Sequence, residues 1–181
     1  MNELSTRRLT GTAAGPGDLA DIRRLHSDPR VMATLSADGN TFGEEQSRAF
    51  LNRAAEHWKS HGFGLWTLRG RSDGDFVGYG GIRHTEVEGR DEVELAYAIR
   101  SECWRKGFAT EVSVAALKLG FDVIHLERIV AFTLPHNQAS RGAMEHCGFK
   151  YQRDFVHAGL PHVLYILEAR EFAIGRLDST S

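Results

Sequence analysis

The hydrophobic and polar positions of the chain follow two different spacings, and the spacing changes at Gly107. Before this residue, apolar stretches of strand length alternate with polar loops that contain glycine, a pattern that is typical of an antiparallel meander. The strands predicted here are Gly64 to Arg69, Asp75 to His84 and Glu92 to Arg100, joined by loops at Gly70 to Gly74 and Thr85 to Arg90. After it, apolar residues recur at the spacing of a helix, at Phe108, Val112, Ala115, Ala116, Leu119 and Val123.

The apolar run from Ile129 to Leu134 predicts a buried strand that ends at Pro135. A strand, a helix and a second strand of this length imply a right-handed crossover between parallel neighbours. We therefore expect Glu92 to Arg100 and Arg128 to Leu134 to lie parallel in one sheet.

The flanks of this unit predict further strands and helices. On the N-terminal side we expect a strand, two short helices, and a longer helix that starts with the capping-box spacing of Thr41 and Glu44 and ends near Ser60. On the C-terminal side Asn137 is a good N-cap for a helix that two strands follow. The predicted bounds are Thr6 to Ala13, Asp18 to His26, Pro29 to Leu35, Gln138 to Cys147, Lys150 to His157 and His162 to Ala169.

The size and composition of the chain predict one α/β domain over residues 1–177, with a loose tail at residues 178–181. The net charge of -2 at pH 7 gives no general attraction to nucleic acid or to anionic membranes. The two cysteines, Cys103 and Cys147, form no metal-binding pattern, so we expect no metal. Because the sequence contains neither an apolar signal segment nor a membrane-spanning run, we expect a cytoplasmic protein.

Arg105 and Lys106 stand immediately before Gly107 and the start of the central helix. A helix N-terminus already carries partial positive charge, so cations beside it are unfavourable unless an anion binds there. A phosphate is the simplest such anion, since glycine permits close backbone approach. The alternative is a solvated basic corner. Neither a Walker loop nor a dinucleotide-binding glycine pattern is present.

Three segments in this order resemble the GNAT superfamily of acyl-CoA-dependent N-acetyltransferases. They are VELAYAIRSECWRKGFATE, HNQAS and EHCGF. The family's centre typically reads E-x-x-Y-x-(x)-W-G-x-G-Y-A-T-E, followed by N-x-x-S and a helix that ends in G-F. The subgroup with the greatest similarity is that of the ribosomal-protein N-terminal acetyltransferases. The resemblance implies a mixed, mostly antiparallel sheet of about seven strands with a splayed parallel pair, flanked by about four helices.

The resemblance also implies a binding site for acetyl-CoA. The pyrophosphate would lie on the backbone from Lys106 to Thr110, with Arg105 pointing outward or gripping the phosphate. The pantetheine arm would pair with the backbone near Ala98 to Arg100, beside Asn137 and Ser140. Arg141 would reach a peripheral phosphate or be solvated. The cofactor-binding residues expected are therefore Ala98, Ile99, Arg100, Arg105, Lys106, Gly107, Phe108, Ala109, Thr110, Asn137, Ser140 and Arg141.

Acetyl transfer to an amine requires a proton acceptor and a group that assists the departing thiolate. Strict alternation places Glu94 on one strand face with Ala96 and Ala98, small residues that leave space for a ligand. We expect Glu94 to relay the amine's proton; the alternative is a solvent-facing strand glutamate. Relatives protonate the thiolate with a tyrosine at the position of Met144, so Ser140 is the candidate here, unless it only supports the start of its helix.

The acceptor is predicted less directly. His84 and His162 are candidates for contacts with it, with surface histidines as the alternative, and His57 and His61 are expected to face solvent. The subgroup resemblance favours a protein N-terminal amine, while a polyamine, an amino metabolite or an antibiotic is the alternative. A rival from another class is an acyl-CoA-binding regulatory module without turnover. A homodimer is left open.

Overall fold

The computed structural model describes residues 2–36 and 38–172. Within them eight strands form one sheet in the order β1-β2-β3-β4-β5-β6-β8-β7. The strands are β1 (Glu3–Ser5), β2 (Leu9–Ala13), β3 (Leu65–Gly70), β4 (Phe76–Val87), β5 (Arg90–Ile99), β6 (Arg128–Thr133), β7 (Lys150–His157) and β8 (Leu160–Glu168). All neighbours are antiparallel except β5 and β6, which confirms the predicted mixed sheet. The predicted tail at residues 178–181 lies outside the described residues.

Helices cover both faces of this sheet. They are α1 (Leu19–His26), α2 (Pro29–Met32), α3 (Glu44–His61), α4 (Phe108–Lys118) and α5 (Gln138–His146). A π-helical turn, Leu119–Val123, continues α4, and short 3-10 turns occupy Pro16–Asp18 and Ser101–Cys103. Within the described residues, no helix is both long and apolar enough to cross a membrane.

The alternation of apolar residues along the strands explains how one sheet holds two helical layers. On one face, α4 packs its buried Val112, Ala116 and Leu117 onto strand residues that include Ile82 and Leu95. On the opposite face α1 and α3 bury Ile22, Leu25 and Leu51 against a second set that includes Phe76, Tyr79 and Ala98. Because successive strand residues point to opposite faces, Leu95 and Ala98 serve different layers.

The parallel pair is joined over a short distance only. One residue pair, Glu94 with Val130, links β5 to β6, and no further pair between these strands occurs within the described residues. β6 is instead paired along its whole length with β8. The two parallel strands therefore separate toward Ile99 and leave a gap in the sheet.

Three sequence predictions were wrong in detail. The strand expected from Thr6 begins at Leu9, because the chain turns at Thr6, whose N–H donates to the Leu9 carbonyl at 2.9 Å. The segment before this turn forms β1, which the sequence did not predict and which makes the eighth strand.

The loop expected at Thr85 to Arg90 is instead a continuous hairpin, in which β4 and β5 pair up to Val87 and Arg90. Glu88 and Gly89 form the turn with positive φ angles of 51° and 78°, as a type I′ turn requires.

The cap expected from Thr41 lies instead at Gly43, immediately before α3. The Gln46 carboxamide oxygen accepts the Gly43 N–H at 2.8 Å. The helix therefore starts at Glu44 and is capped from a residue inside its own first turn.

Candidate active site

A cleft of about 730 Å³ passes through the gap between β5 and β6. Its lining includes Leu95 and Tyr97 from the face that carries α4, together with Glu94, Ala96 and Ala98 from the opposite face. The register of β4 against β5 is continuous, so the alternation expected for Glu94 holds without a bulge between these two strands. The splayed strands thus connect a space beside α4 with a space beneath α1 and α3.

The half of the cleft beside α4, which we call the donor half, is built mainly from backbone. Arg105 and Gly107 have positive φ angles of 59° and 78°, and together they turn the chain into α4. The first intrahelical bond is from the Glu111 N–H to the Gly107 carbonyl, at 3.0 Å. The N–H groups of Phe108, Ala109 and Thr110 therefore have no intrahelical acceptor, and all three residues line the cleft. This arrangement suits an anion such as a phosphate.

Arg8, which sequence reasoning missed, holds this turn in place. Its Nη1 donates to the Lys106 carbonyl at 2.7 Å, and its guanidinium lies 4.7 Å from the Phe108 ring centroid. Its Nε and its backbone N–H donate to the two oxygens of the Glu111 carboxylate at 2.6 and 2.7 Å. Burial alone would raise the pKa of Glu111, but hydrogen bonds from Thr6 and Arg8 outweigh it and lower that pKa. Glu111 is thus a charged anchor for the N-terminal segment.

Most of the predicted donor-binding residues line the cleft together. These are Ala98, Ile99, Arg105, Gly107, Phe108, Ala109, Thr110, Asn137 and Ser140. Three others lie outside its lining, namely Arg100, Lys106 and Arg141. Nη1 of Arg100 donates to the Phe76 carbonyl at 2.8 Å, and Nε of Arg141 donates to the Tyr165 hydroxyl at 3.0 Å. These two side chains therefore make structural contacts.

The start of α5 brings a pair of hydroxyl groups to the cleft. Asn137 caps the helix as predicted, since its Oδ1 accepts the Ser140 N–H at 3.1 Å. The Ser140 Oγ lies 3.0 Å from the hydroxyl of Tyr97, which reaches across the gap from β5. Burial raises the pKa of Tyr97 to about 12, so its hydroxyl keeps its proton at neutral pH. The sequence contained this tyrosine within a motif but gave no sign of its contact with Ser140.

The half beneath α1 and α3, which we call the acceptor half, contains an ion pair. Arg83 on β4 lies directly opposite Glu94 on β5, and its Nε donates to Glu94 Oε1 at 2.5 Å. The Glu94 side chain is 4% exposed, whereas that of Arg83 is 42% exposed. Both residues line the cleft. Glu94 is thus a buried, paired carboxylate and not a solvent-facing one.

Aromatic rings form the wall above this pair. The rings of Phe42, Phe50 and Tyr79 surround His26, whose Nδ1 lies 3.1 Å from the Ser47 hydroxyl. Burial lowers the pKa of His26 to about 4, so the ring is neutral at pH 7. Burial also raises the pKa of Tyr79 to about 12. The wall therefore carries no charge of its own near neutrality.

The two histidines proposed for the acceptor are in different places. His162 lines the cleft, with its ring 5.7 Å from that of Phe132. His84 lies outside the lining, in a cluster with His57 and His61 at the end of α3. Its backbone N–H donates to His57 Nε2 at 2.9 Å. Within the described residues, no group of side chains has the composition and geometry of a metal site.

Comparison with known proteins agrees with this geometry. Residues 8–150 match the model of the family described as an acetyltransferase (GNAT) domain. The chain therefore belongs to the GNAT family of acyl-CoA-dependent N-acetyltransferases, and it is an enzyme of that class.

Two relatives in sequence and one in structure illustrate the range of the family. The uncharacterized protein YkkB of Bacillus subtilis (strain 168) is 28% identical over 141 residues. The match covers 78% of this chain and 80% of the YkkB chain. An FsC-acetyl coenzyme A-N(2)-transacetylase of Aspergillus fumigatus is 26% identical over 161 residues. The match covers 84% of this chain and 66% of the chain of that relative.

A GNAT-family acetyltransferase from Bacillus anthracis has the same fold, with a TM-score of 0.75 and 24% identity over 93% of this chain and 99% of its own. Solved structures of similar fold include ribosomal-protein acetyltransferases and also a spermidine acetyltransferase. The subgroup expected from the sequence therefore stays a prediction.

Proposed function

We propose that the enzyme transfers an acetyl group from acetyl-CoA directly to a primary amine, with both substrates bound in the one cleft. The observation that carries the proposal is the cleft's passage through the splayed pair, since it joins a helix start suited to an anion to a buried carboxylate. The three free N–H groups at the start of α4 fit a pyrophosphate, and Arg105 adds a cation beside them.

Glu94 is the proposed acceptor, directly or through water, of the proton that the amine loses. An amine must be neutral to attack, and deprotonation at pH 7 costs roughly 1 kcal/mol for an N-terminal amine but roughly 4 to 5 kcal/mol for a lysine-like amine. Arg83 holds one carboxylate oxygen of Glu94, and the other is left to face the amine or a bridging water. A fixed carboxylate at this point assists either kind of acceptor.

The remaining steps belong to the donor half. As the new C–N bond forms and the C–S bond breaks, charge passes first to the carbonyl oxygen and then to the sulfur. A backbone N–H near Ala98 or Ile99 is proposed to stabilise the oxygen. The Ser140 hydroxyl is proposed to donate to the sulfur, supported by the hydroxyl of Tyr97 at 3.0 Å. Since a free thiol has a pKa of about 8.5, the thiolate needs only modest assistance.

Two classes of acceptor are proposed as alternatives. The sequence resemblance supports a protein N-terminal amine. A small amine is supported by the acceptor half itself, where aromatic rings and a single ion pair line the space. A screen that follows free thiol release from acetyl-CoA, with N-terminal peptides and small amines as acceptors, separates these two.

The same screen tests the proposed activity against its rivals. Turnover with any primary amine supports acetyl transfer. Binding of CoA by calorimetry without thiol release from any amine would instead favour a regulatory module. If neither acetyl-CoA nor CoA gives heat or a change in melting temperature, the proposed donor site is wrong.

A further inference from the structure

We propose that Arg83 recognises a carboxylate on the acceptor, so that the substrate is a small amino carboxylate with an apolar remainder. The inference rests on the proposed function and specifies its acceptor. Its basis is the partly exposed guanidinium at the floor of the acceptor half, held in place by Glu94 and otherwise facing the cleft.

The hydrogen-bond inventory of Arg83 leaves donors free for a ligand. Its Nε donates to Glu94 at 2.5 Å, and its terminal nitrogens have no hydrogen-bond partner within the described residues. A guanidinium presents its N–H groups as a planar fork that matches a carboxylate in a bidentate manner. Because Glu94 fixes one edge of the group, the free edge is oriented in advance.

The balance of charge in the cleft points in the same direction. Glu94 is the one carboxylate in the described lining, and the pair with Arg83 neutralises it. Arg83 and Arg105 are the arginines of that lining. A polycation would find no unpaired acidic group here, whereas an anionic group would meet the guanidinium of Arg83, whose side chain is partly exposed. The chemistry of the cleft therefore disfavours polyamine acceptors.

The shape of the site limits the rest of the acceptor. Ala96 and Ala98 line the cleft as a trough of small residues beside Glu94, and Tyr79 lies opposite Ala98 on β4. The rings lining the space beyond this trough are those of His26, Phe42, Phe50 and Phe132. An apolar or aromatic group on the acceptor would be buried there, away from water.

The arrangement of the pair matches an amino carboxylate. An α-amino acid carries its amine and its carboxylate on the same carbon atom, and Arg83 and Glu94 are direct cross-strand neighbours. The carboxylate would bind the free edge of Arg83 while the amine lies near the oxygen of Glu94 that Arg83 does not hold. The amine would thereby be positioned for deprotonation.

The first test compares matched acceptors with the intact enzyme. Thiol release is measured with L-phenylalanine and L-leucine, with their amides, with phenethylamine and with spermidine. We expect kcat/KM to be higher for each amino acid than for its amide, by about tenfold or more from a bidentate charge-assisted contact. The amides are a demanding control, because the α-amine of an amino acid amide loses its proton more easily than that of the free amino acid. Equal or better use of the amides, or of spermidine, would overturn the inference.

The second test asks whether that preference depends on Arg83. In Arg83→Gln the ratio of kcat/KM for acid to that for amide should fall to near one. Arg83→Lys, which keeps the charge but not the fork, should give an intermediate ratio. Because the ratio compares two substrates on one variant, a general loss of activity or of folded protein cancels.

A matched control is available on β6, on the other side of β5. Arg128 pairs with Glu92 through a side chain that is 40% exposed, close to the value for Arg83, and it does not line the cleft. Arg128→Gln should leave the acid-to-amide ratio unchanged. If Arg83→Gln fails to fold, Arg83→Lys decides the question, and an unaltered ratio in that variant contradicts the proposal.

The outcomes separate this inference from the proposed function. Turnover of amides and phenethylamine without preference for a carboxylate would leave the acetyltransferase intact and reject only the role of Arg83. CoA binding without thiol release from any of these amines or from N-terminal peptides would reject the proposed function, and this inference with it.

Discussion

The two halves of the cleft are built from different parts of the chain and by different chemistry. The donor half presents backbone N–H groups from consecutive residues at the start of α4. The acceptor half presents side chains, and they come from α1, α3, β4 and β5. The anion site of the donor half is therefore defined mainly by a local turn, whereas the acceptor half is defined only by the packing of distant elements.

This difference shows how one scaffold can combine a common donor with a particular acceptor. Backbone donors are the same for every residue type, so many substitutions in the donor half leave its hydrogen bonds intact. Each contact of the acceptor half depends on a side chain such as Arg83, and a single substitution changes it. Selectivity among amines should therefore reside in the acceptor half, as the rigid-scaffold view of binding sites anticipates.

The sharpest way to break this comparison is to remove the carboxylate of the acceptor half. Glu94→Gln should lower kcat/KM by about 10² to 10⁴, the usual contribution of a positioned acid or base, and should remove the acidic limb of the pH profile. Binding of CoA should change little, since Glu94 lies outside the donor half. Steady-state kinetics across pH and calorimetry with CoA measure the two effects.

The control for this variant is Glu92→Gln on the same strand. Glu92 is also paired with an arginine, Arg128, and its side chain is 10% exposed, but it does not line the cleft. Its replacement should leave the pH profile unchanged. A Glu94→Gln enzyme with the wild-type pH profile would exclude Glu94 as the proton acceptor.

The next largest effect concerns stability, and it arises in the wall of the acceptor half. His26 has a pKa of about 4 because it is buried, below its ordinary value of 6.5. Between these values the unfolded chain binds a proton that the folded protein does not, so the free energy of unfolding falls as the pH falls. The full contribution is about 3 kcal/mol. Denaturant unfolding at a series of pH values measures it.

The matching variants are His26→Gln and His146→Gln. The first should remove part of the pH dependence below pH 6.5, while the second, at an exposed position near the end of α5, should not. If the free energy of unfolding changes equally steeply with pH in His26→Gln and in the wild type, His26 is not the source of this pH dependence.

The same contrast explains what could be predicted from the sequence. The donor half lies within short segments, so the glycine at position 107 and the cap at Asn137 were visible as local patterns. The parallel pair was also predictable, because a strand, a helix and a second strand are connected by a right-handed crossover between parallel neighbours. The position of Glu94 on the cleft face was predictable from alternation, which needs only its own strand.

The partners of these residues were not predictable. Arg83 reaches Glu94 through the register of a hairpin that sequence reasoning had interrupted at Thr85. Arg8 was assigned to a strand, and the turn that brings it to Glu111 depends on a contact over 103 positions. The wall of the acceptor half likewise depends on how α1 and α3 pack on the sheet. No single segment contains the information for such contacts.

A smaller effect tests the donor half directly. Gly107 has a φ of 78°, and an added Cβ would lie 3.3 Å from Arg8 Nη2. A left-handed conformation costs a non-glycine residue roughly 1 to 2 kcal/mol, so Gly107→Ala should weaken CoA binding by about tenfold with little change in the preference among acceptors. Gly142→Ala, in the open surface of α5, is the control and should bind CoA normally. Unaltered CoA affinity in Gly107→Ala would show that this turn does not hold the donor.

The smallest expected effect lies at the hydroxyls of Ser140 and Tyr97, which belong to the donor half. Because a thiolate leaves with modest help, Ser140→Ala and Tyr97→Phe should each lower kcat by about three- to tenfold. If the two hydroxyls act as one unit across their 3.0 Å contact, the double variant should be little worse than either single variant. Tyr151→Phe removes a hydroxyl that bonds to Asp154 at the surface and should be neutral. Losses that simply multiply in the double variant would instead mean that the two hydroxyls assist the reaction independently.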